Sequence, residues 1–150
     1  MACQPRVEIT DKFRLVVHYE KENFKKGEQM LHIVIDCIDA AKLAEFWEKA
    51  LSYDKLIALD HYVILASKTG SSEPQVILQQ VPEPKITKNR IHIDIIANDG
   101  DIEKEANRLE SIGAVRSENC NYKEYGICWI QMRDPEGNEF CVCQGFSNDI

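Results

Sequence analysis

Two histidines give the first sign of chemistry. His32 and His92 occupy matching places in a repeated pattern: Leu31-His32-Ile33-Val34-Ile35-Asp36 returns as Ile91-His92-Ile93-Asp94-Ile95-Ile96. Successive residues of a strand face opposite ways. If Ile33, Ile35 and Cys37 pack on a helix, then His32, Val34 and Asp36 share the other face. His92, Asp94 and Ile96 do the same in the second copy. Polar groups on one face of an otherwise apolar strand are costly unless that face is wet or lines a site. Asp36 and Asp94 suit a carboxylate pair in which one member has a raised pKa and acts as acid or base. Capping of loops, or pairing with Arg133 or Arg90, is the competing reading, and both stay open. Cys141-Val142-Cys143 sets two thiols on one face of a strand.

The elements that must position these residues repeat as well. Each run leads to an aspartate, Asp39 or Asp99, expected to cap a helix through its carboxylate. Ala40, Leu43, Ala44, Trp47 and Leu51 form one apolar helical stripe, and Ile102, Ala106, Leu109 and Ile112 form another. Trp47 is read as core, and Gly113 as the residue closing the second helix. Strands follow at about 55–59, 62–67 and 75–81, with the Gly70-Ser71-Ser72 loop between the last two. In the second copy they fall at about 114–118, 127–133 and 139–144, with a tight turn over Asp134-Pro135-Glu136-Gly137-Asn138. Each copy therefore reads β-α-β-β-β, with modules at about 30–81 and 90–144. One such sheet buries too little alone, so the two must pack together. Residues 1–29 stand outside the repeat as an arm, with a possible extra strand at 13–20 and a charged connector at 21–28. The arm would cover a sheet edge or cross to another subunit. Residues 145–150 are a tail.

Composition narrows the partners. The chain has 150 residues, enough for one core, and a formal charge of −7 that disfavours nucleic acid and anionic membrane. Nothing approaches the ~20 consecutive apolar residues of a bilayer span. The start, Met1-Ala2-Cys3-Gln4-Pro5-Arg6, lacks the build of a secretion signal, so a cytoplasmic protein is expected. The six cysteines contain no Cys-x-x-Cys pair and are read as reduced thiols.

The sequence resembles the glyoxalase/bleomycin resistance/dioxygenase (vicinal oxygen chelate) superfamily, within it the glyoxalase-like domain group. The likeness rests on Val34-Ile35-Asp36-Cys37, Leu43-Ala44-Glu45-Phe46-Trp47 and Val81-Pro82-Glu83-Pro84-Lys85. It continues through Lys88-Asn89-Arg90-Ile91-His92-Ile93-Asp94 and Asp134-Pro135-Glu136-Gly137-Asn138-Glu139-Phe140. It implies an α+β fold of two βαβββ modules, a curled mixed sheet making a cup with the helices outside and the ligand within.

For metal-dependent members the resemblance implies two ligands from the first and last strand of each module. These positions fall on His32, His92, Gln79 and Cys141. Two imidazoles suit zinc, nickel or iron, and a thiolate suits zinc in particular. The superfamily pattern has a glutamate where Cys141 stands, and that carboxylate also serves as base, so the set departs from the pattern. Cys141 as a small core residue and the histidines as hydrogen-bonding groups form the alternative. Trp129 falls where the family keeps ligand-facing aromatics, giving a stacking surface. The implied function is binding of a small organic metabolite in the cup. Lyase, isomerase or dioxygenase-like chemistry is one extension, and non-catalytic sequestration of a drug or metabolite, as in bleomycin-resistance relatives, is the other. Homodimerisation is compatible with the fold.

Overall fold

A computed structural model describes residues 6–10, 14–18, 31–68, 73–124 and 127–145, with side chains at 31–68, 73–117 and 128–145. The Gly70-Ser71-Ser72 loop, the connector at 21–28 and the tail beyond Gly145 lie outside the described residues. The arm contains a hairpin of β1 (Arg6–Thr10) and β2 (Arg14–His18), paired Val7 to Val17 and Ile9 to Leu15. β2 falls within the segment read as a possible strand at 13–20, and its partner β1 has no counterpart in the sequence reading.

The first module is β3 (His32–Cys37), α1 (Ala40–Leu51), β4 (Tyr53–Ala58), β5 (Tyr62–Ser67) and β6 (Gln75–Gln80). The second is β7 (Asp94–Ile96), α2 (Ile102–Ser111), β8 (Val115–Glu124), β9 (Ile127–Arg133) and β10 (Glu139–Cys143). The sheets are ordered β3-β6-β5-β4 and β7-β10-β9-β8. In each, the first strand runs parallel to the last, and the other pairs are antiparallel. The fold is the expected α+β pair of βαβββ modules. β8 runs well past the expected 114–118, with an irregularity between Arg116 and Asn121.

The two helix starts differ. Asp39 caps α1, its Oδ1 accepting from the Lys42 N–H at 3.0 Å. The cap of α2 is Asp101, not the expected Asp99; the Lys104 N–H donates to Asp101 Oδ1 at 3.0 Å. The reason is an insertion: Asp99-Gly100 adds two residues between strand and helix, turned by Gly100 at φ +75°. Asp99 instead accepts from the Asp101 N–H and pairs with Lys104. Gly113 closes α2 as expected, at φ +114°, a conformation that is strained for any residue with a Cβ. Ser52 ends α1 in the left-handed region at φ 57°, a place where sequence gives no glycine signal.

One continuous core joins the modules. From the first come Ile35, Cys37, Leu43, Ala44, Phe46, Trp47, Val63, Leu65, Val76 and Leu78; from the second Ile95, Ala106, Leu109, Ile130, Met132, Phe140 and Val142. α1 buries Phe46 and Ala50 beyond the predicted stripe, and Phe46 and Trp47 both meet Phe140 of β10, with ring centroids 5.9 and 5.5 Å away. Trp47 Nε1–H donates to Asp134 Oδ2 at 3.1 Å, and Asp134 is only 2% exposed. The other Asp134 oxygen accepts the Glu136 and Asn138 N–H groups, which shapes the turn before β10. Gly137, at φ +87°, donates its N–H to the Asp134 carbonyl, as the predicted turn requires. Glu136 does more than occupy a turn. Its carboxylate accepts the N–H groups of Ile38 and Asp39, at 2.7 and 2.8 Å, where β3 leads into α1. At the far end of α1, Arg108 of α2 donates to the Lys49 and Ala50 carbonyls. The helix of the first module is held at both ends by the second.

Candidate functional site

Each sheet has a face turned away from the helices and the core, here called its open face. Alternation along the strands decides which residues lie on it. Ile35 and Cys37 are buried in the core, so His32, Val34 and Asp36 fall on the open face, and all three are exposed. Ile95 fixes the second module in the same way, leaving His92, Asp94 and Ile96 exposed.

The register extends these positions across each sheet. In the first module His32 stands opposite Gln75, Val34 opposite Ile77, and Asp36 opposite Gln79. Ile77 continues to Ile64 and then Ile57; Gln79 continues to Tyr62. In the second, Asp94 stands opposite Cys141 and then Gln131, while Ile96 leads to Cys143 and Trp129. Glu139 pairs with Arg133, which pairs with Val115. The open faces thus carry one apolar row flanked by polar ones in the first module, and an acid, thiol and amide row beside an aromatic one in the second.

This geometry separates the expected metal ligands. His32 and Gln79 lie four positions apart in register, about 13 Å along the strands at ~3.3 Å per residue. His92 precedes β7 and lies two residues before Asp94, the register partner of Cys141. Among the described residues no group of three or more His, Cys, Asp and Glu side chains is placed to hold a metal ion. Burial, with the Asp94 carboxylate next in importance, pushes the Cys141 thiol up to about 11. The register sets neither Gln79 directly opposite His32 nor Cys141 directly opposite His92. The structure does bring Asp36 beside Gln79, and Asp94 beside Cys141.

Cys143 is pushed up to about 12 by burial, followed by Asp94 and Cys141. Cys37, on the core side, is also raised to about 12, by burial and then by Glu136 and nearby aspartates. The four described thiols, Cys37, Cys128, Cys141 and Cys143, are free. At the head of β10, burial pushes the Glu139 carboxyl up. The Asn89 N–H at 3.0 Å and Lys85 at 2.9 Å outweigh it and hold the group below its ordinary value. Lys85 also donates to the Thr87 carbonyl at 2.7 Å, so this cluster fastens the inter-module segment to β10.

Sequence reasoning missed Tyr62, Gln75, Ile77, Ile64, Ile57, Gln131 and Cys143 as open-face residues. The repeat itself holds the signal. With His32 matched to His92, the registers make Tyr62 the counterpart of Trp129 and Gln79 the counterpart of Cys143. Cys141 then corresponds to Ile77. Only the observed pairing of the last strands reveals this two-residue difference from the linear alignment.

Among the described residues no helix is long and apolar enough to cross a membrane. No curated protein matches the chain. Solved structures share its fold. A glyoxalase/bleomycin resistance protein/dioxygenase family enzyme from Burkholderia phytofirmans PsJN is similar over 75% of this chain and 94% of its own, with 11% identity and a TM-score of 0.63. A mutant of the fosfomycin resistance protein FosX from Listeria monocytogenes, solved with manganese and a dihydroxypropylphosphonic acid, is similar over 79% of this chain and 90% of its own. Its identity is 11% and its TM-score 0.64. FosX from Mesorhizobium loti is similar over 82% and 95%, with 15% identity and a TM-score of 0.60. At such identities the likeness is one of fold. The profile of the glyoxalase-like domain matches residues 32–143, from the first residue of β3 to the last of β10. With its paired βαβββ modules, the chain belongs to the glyoxalase-like domain family of the vicinal oxygen chelate superfamily.

Proposed function

We propose that this protein binds a small organic molecule against the open faces of its two sheets, in the manner of a non-catalytic drug- or metabolite-binding relative. The carrying observation is that hydrogen-bonding side chains collect on the faces turned away from the helices. His32, Asp36, Gln79 and Tyr62 lie on one face, and Asp94, Gln131 and Trp129 on the other. Polar groups set around apolar ones are how small-molecule sites combine affinity with orientation. One structural neighbour, FosX of Listeria monocytogenes, is solved with a small organic phosphonic acid together with manganese, which supports small-molecule binding and leaves catalysis undecided.

A thermal-shift screen of metabolites and antibiotics tests it. A true ligand raises the melting temperature in a concentration-dependent way. Its affinity falls in a His32→Ala/His92→Ala double variant or in Asp94→Asn, and stripping divalent metal with a chelator leaves it unchanged. Binding that survives both variants would sink the proposal. A lyase or isomerase reading has one specific support, Asp94 set beside the buried thiols of Cys141 and Cys143 as a proton-moving group. It requires turnover that disappears in Asp94→Asn while the ligand still binds.

A further inference from the structure

Val34, Ile77, Ile64 and Ile57 form a row across the open face of the first sheet, one from each strand in the order β3-β6-β5-β4. Burial along this row is uneven. Val34 is 53% exposed and Ile77 is half-buried, whereas Ile64 and Ile57 are only 5% and 7% exposed. β4 is an edge strand, so an uncovered face would leave Ile57 as open as Val34. α1 is not the cover. It packs on the opposite face, which carries Val63, Leu65, Val76 and Leu78, and neither Ile57 nor Ile64 belongs to the core that those residues join. Gln75, on the same face as the row, is also buried, at 7% exposed. The β4–β5 half of this face is therefore covered from its outer side, and the β3 half is open.

The N-terminal hairpin has the complementary need. Its register sets Val7 beside Val17 and Ile9 beside Leu15 on one face; Arg6, Glu8, Thr10, Arg14 and His18 share the other with Val16. Two strands alone are marginally stable in water, so an aliphatic face of this kind must pack on something. The loops are poorer covers for two isoleucines. Lys68-Thr69-Gly70-Ser71-Ser72-Glu73-Pro74 is polar, and Glu118-Asn119-Cys120-Asn121-Tyr122-Lys123-Glu124 is mostly so. The tether also fits. About 13 residues join His18 to His32 and reach up to ~43 Å at ~3.3 Å per residue. From β3, where that tether ends, β4 lies only three strand spacings of ~4.8 Å away, about 14 Å. We infer that the β1–β2 hairpin folds back onto the β4–β5 half of its own first sheet, with Val7, Ile9, Leu15 and Val17 over Ile57 and Ile64. The hairpin then walls off that half of the face and leaves His32, Val34 and Asp36 as the part open to a ligand. This docking goes beyond the small-molecule reading and does not depend on it.

Methyl NMR of the full chain, labelled at isoleucine, leucine and valine, tests the docking. We expect nuclear Overhauser cross-peaks from the Ile57 and Ile64 methyls to those of Val7, Ile9, Leu15 or Val17. Leu15→Asp should abolish them and shift the Ile57 and Ile64 signals, while the signal of Ile130 in the core stays in place. Val16→Asp, on the other face of the hairpin, should keep them. The unsubstituted chain alone decides the matter even if Leu15→Asp fails to fold. Absence of these cross-peaks overturns the inference, as do cross-peaks to residues 118–126 in their stead or Ile57 and Ile64 signals indifferent to Leu15→Asp. A sample mixed from differently labelled copies identifies the owner of the hairpin. Cross-peaks that arise only between copies would assign the cover to a second molecule and overturn the inference too.

Discussion

Laid over one another by register, the two open faces exchange polarity. Val34, Ile77 and Ile64 in the first module correspond to Asp94, Cys141 and Gln131 in the second; Asp36, Gln79 and Tyr62 correspond to Ile96, Cys143 and Trp129. On the helix side the same superposition changes little: Ile35 matches Ile95, and Leu78 matches Val142, all buried. The difference shows where the fold constrains the chain. Residues facing the shared core must stay apolar and of fitting volume, a demand that the helix-free faces carry less strictly.

Substitutions can break or sharpen this contrast. The largest effects belong to the helix side. Leu78→Ala should cost about 2–5 kcal/mol in urea unfolding, and Val142→Ala should cost somewhat less. Both should retain a single transition because one core serves both modules; two separate transitions would refute the shared core. Next comes Asp134→Ala, which strands the Trp47, Glu136 and Asn138 donors and should cost about 3 kcal/mol. Trp47→Phe, which removes only the donor, should cost less.

Acid titration probes the attachment of the inter-module segment and the turn before β10. Glu139 titrates below its ordinary value of 4.5 in the folded protein, so its contribution is present above that pH and fades as pH falls through the folded value. Burial raises Asp134 against its hydrogen bonds, giving the opposite sign: its contribution is full below 3.8 and fades as pH rises. Glu139→Gln should therefore flatten the loss of stability below about pH 4.5, read from melting temperature against pH. Unchanged acid sensitivity would show that the Lys85–Glu139–Asn89 cluster does not fasten the inter-module segment to β10. The smallest effect on stability belongs to the open face: Asp94→Asn should shift stability by less than about 0.5 kcal/mol. It should also quicken alkylation of Cys141 and Cys143, by removing a charge that disfavours their thiolates.

Much of the architecture was legible because it is written twice. The strand-to-helix pattern around His32 recurs around His92, and alternation alone placed both imidazoles on the face away from the helices. The cap of α2 was misplaced because Asp99 and Asp101 are equally good candidates, and only the turn through Gly100 decides between them. Glu136 looked like turn chemistry because its partners, Ile38 and Asp39, lie nearly a hundred residues away. The apolar row was invisible for the same kind of reason. Val34, Ile57, Ile64 and Ile77 come from four strands, and strand pairing is not contained in local periodicity.

The bond between Trp47 and Asp134 also bears on ancestry. Counting from the two caps, Trp47 of α1 corresponds to Leu109 of α2, a side chain with no N–H to give. The seam is therefore lopsided, and two copies of either half could not rebuild it by symmetry. If the chain descends from a pair of identical half-length subunits, this indole is one place where the halves have since ceased to be interchangeable.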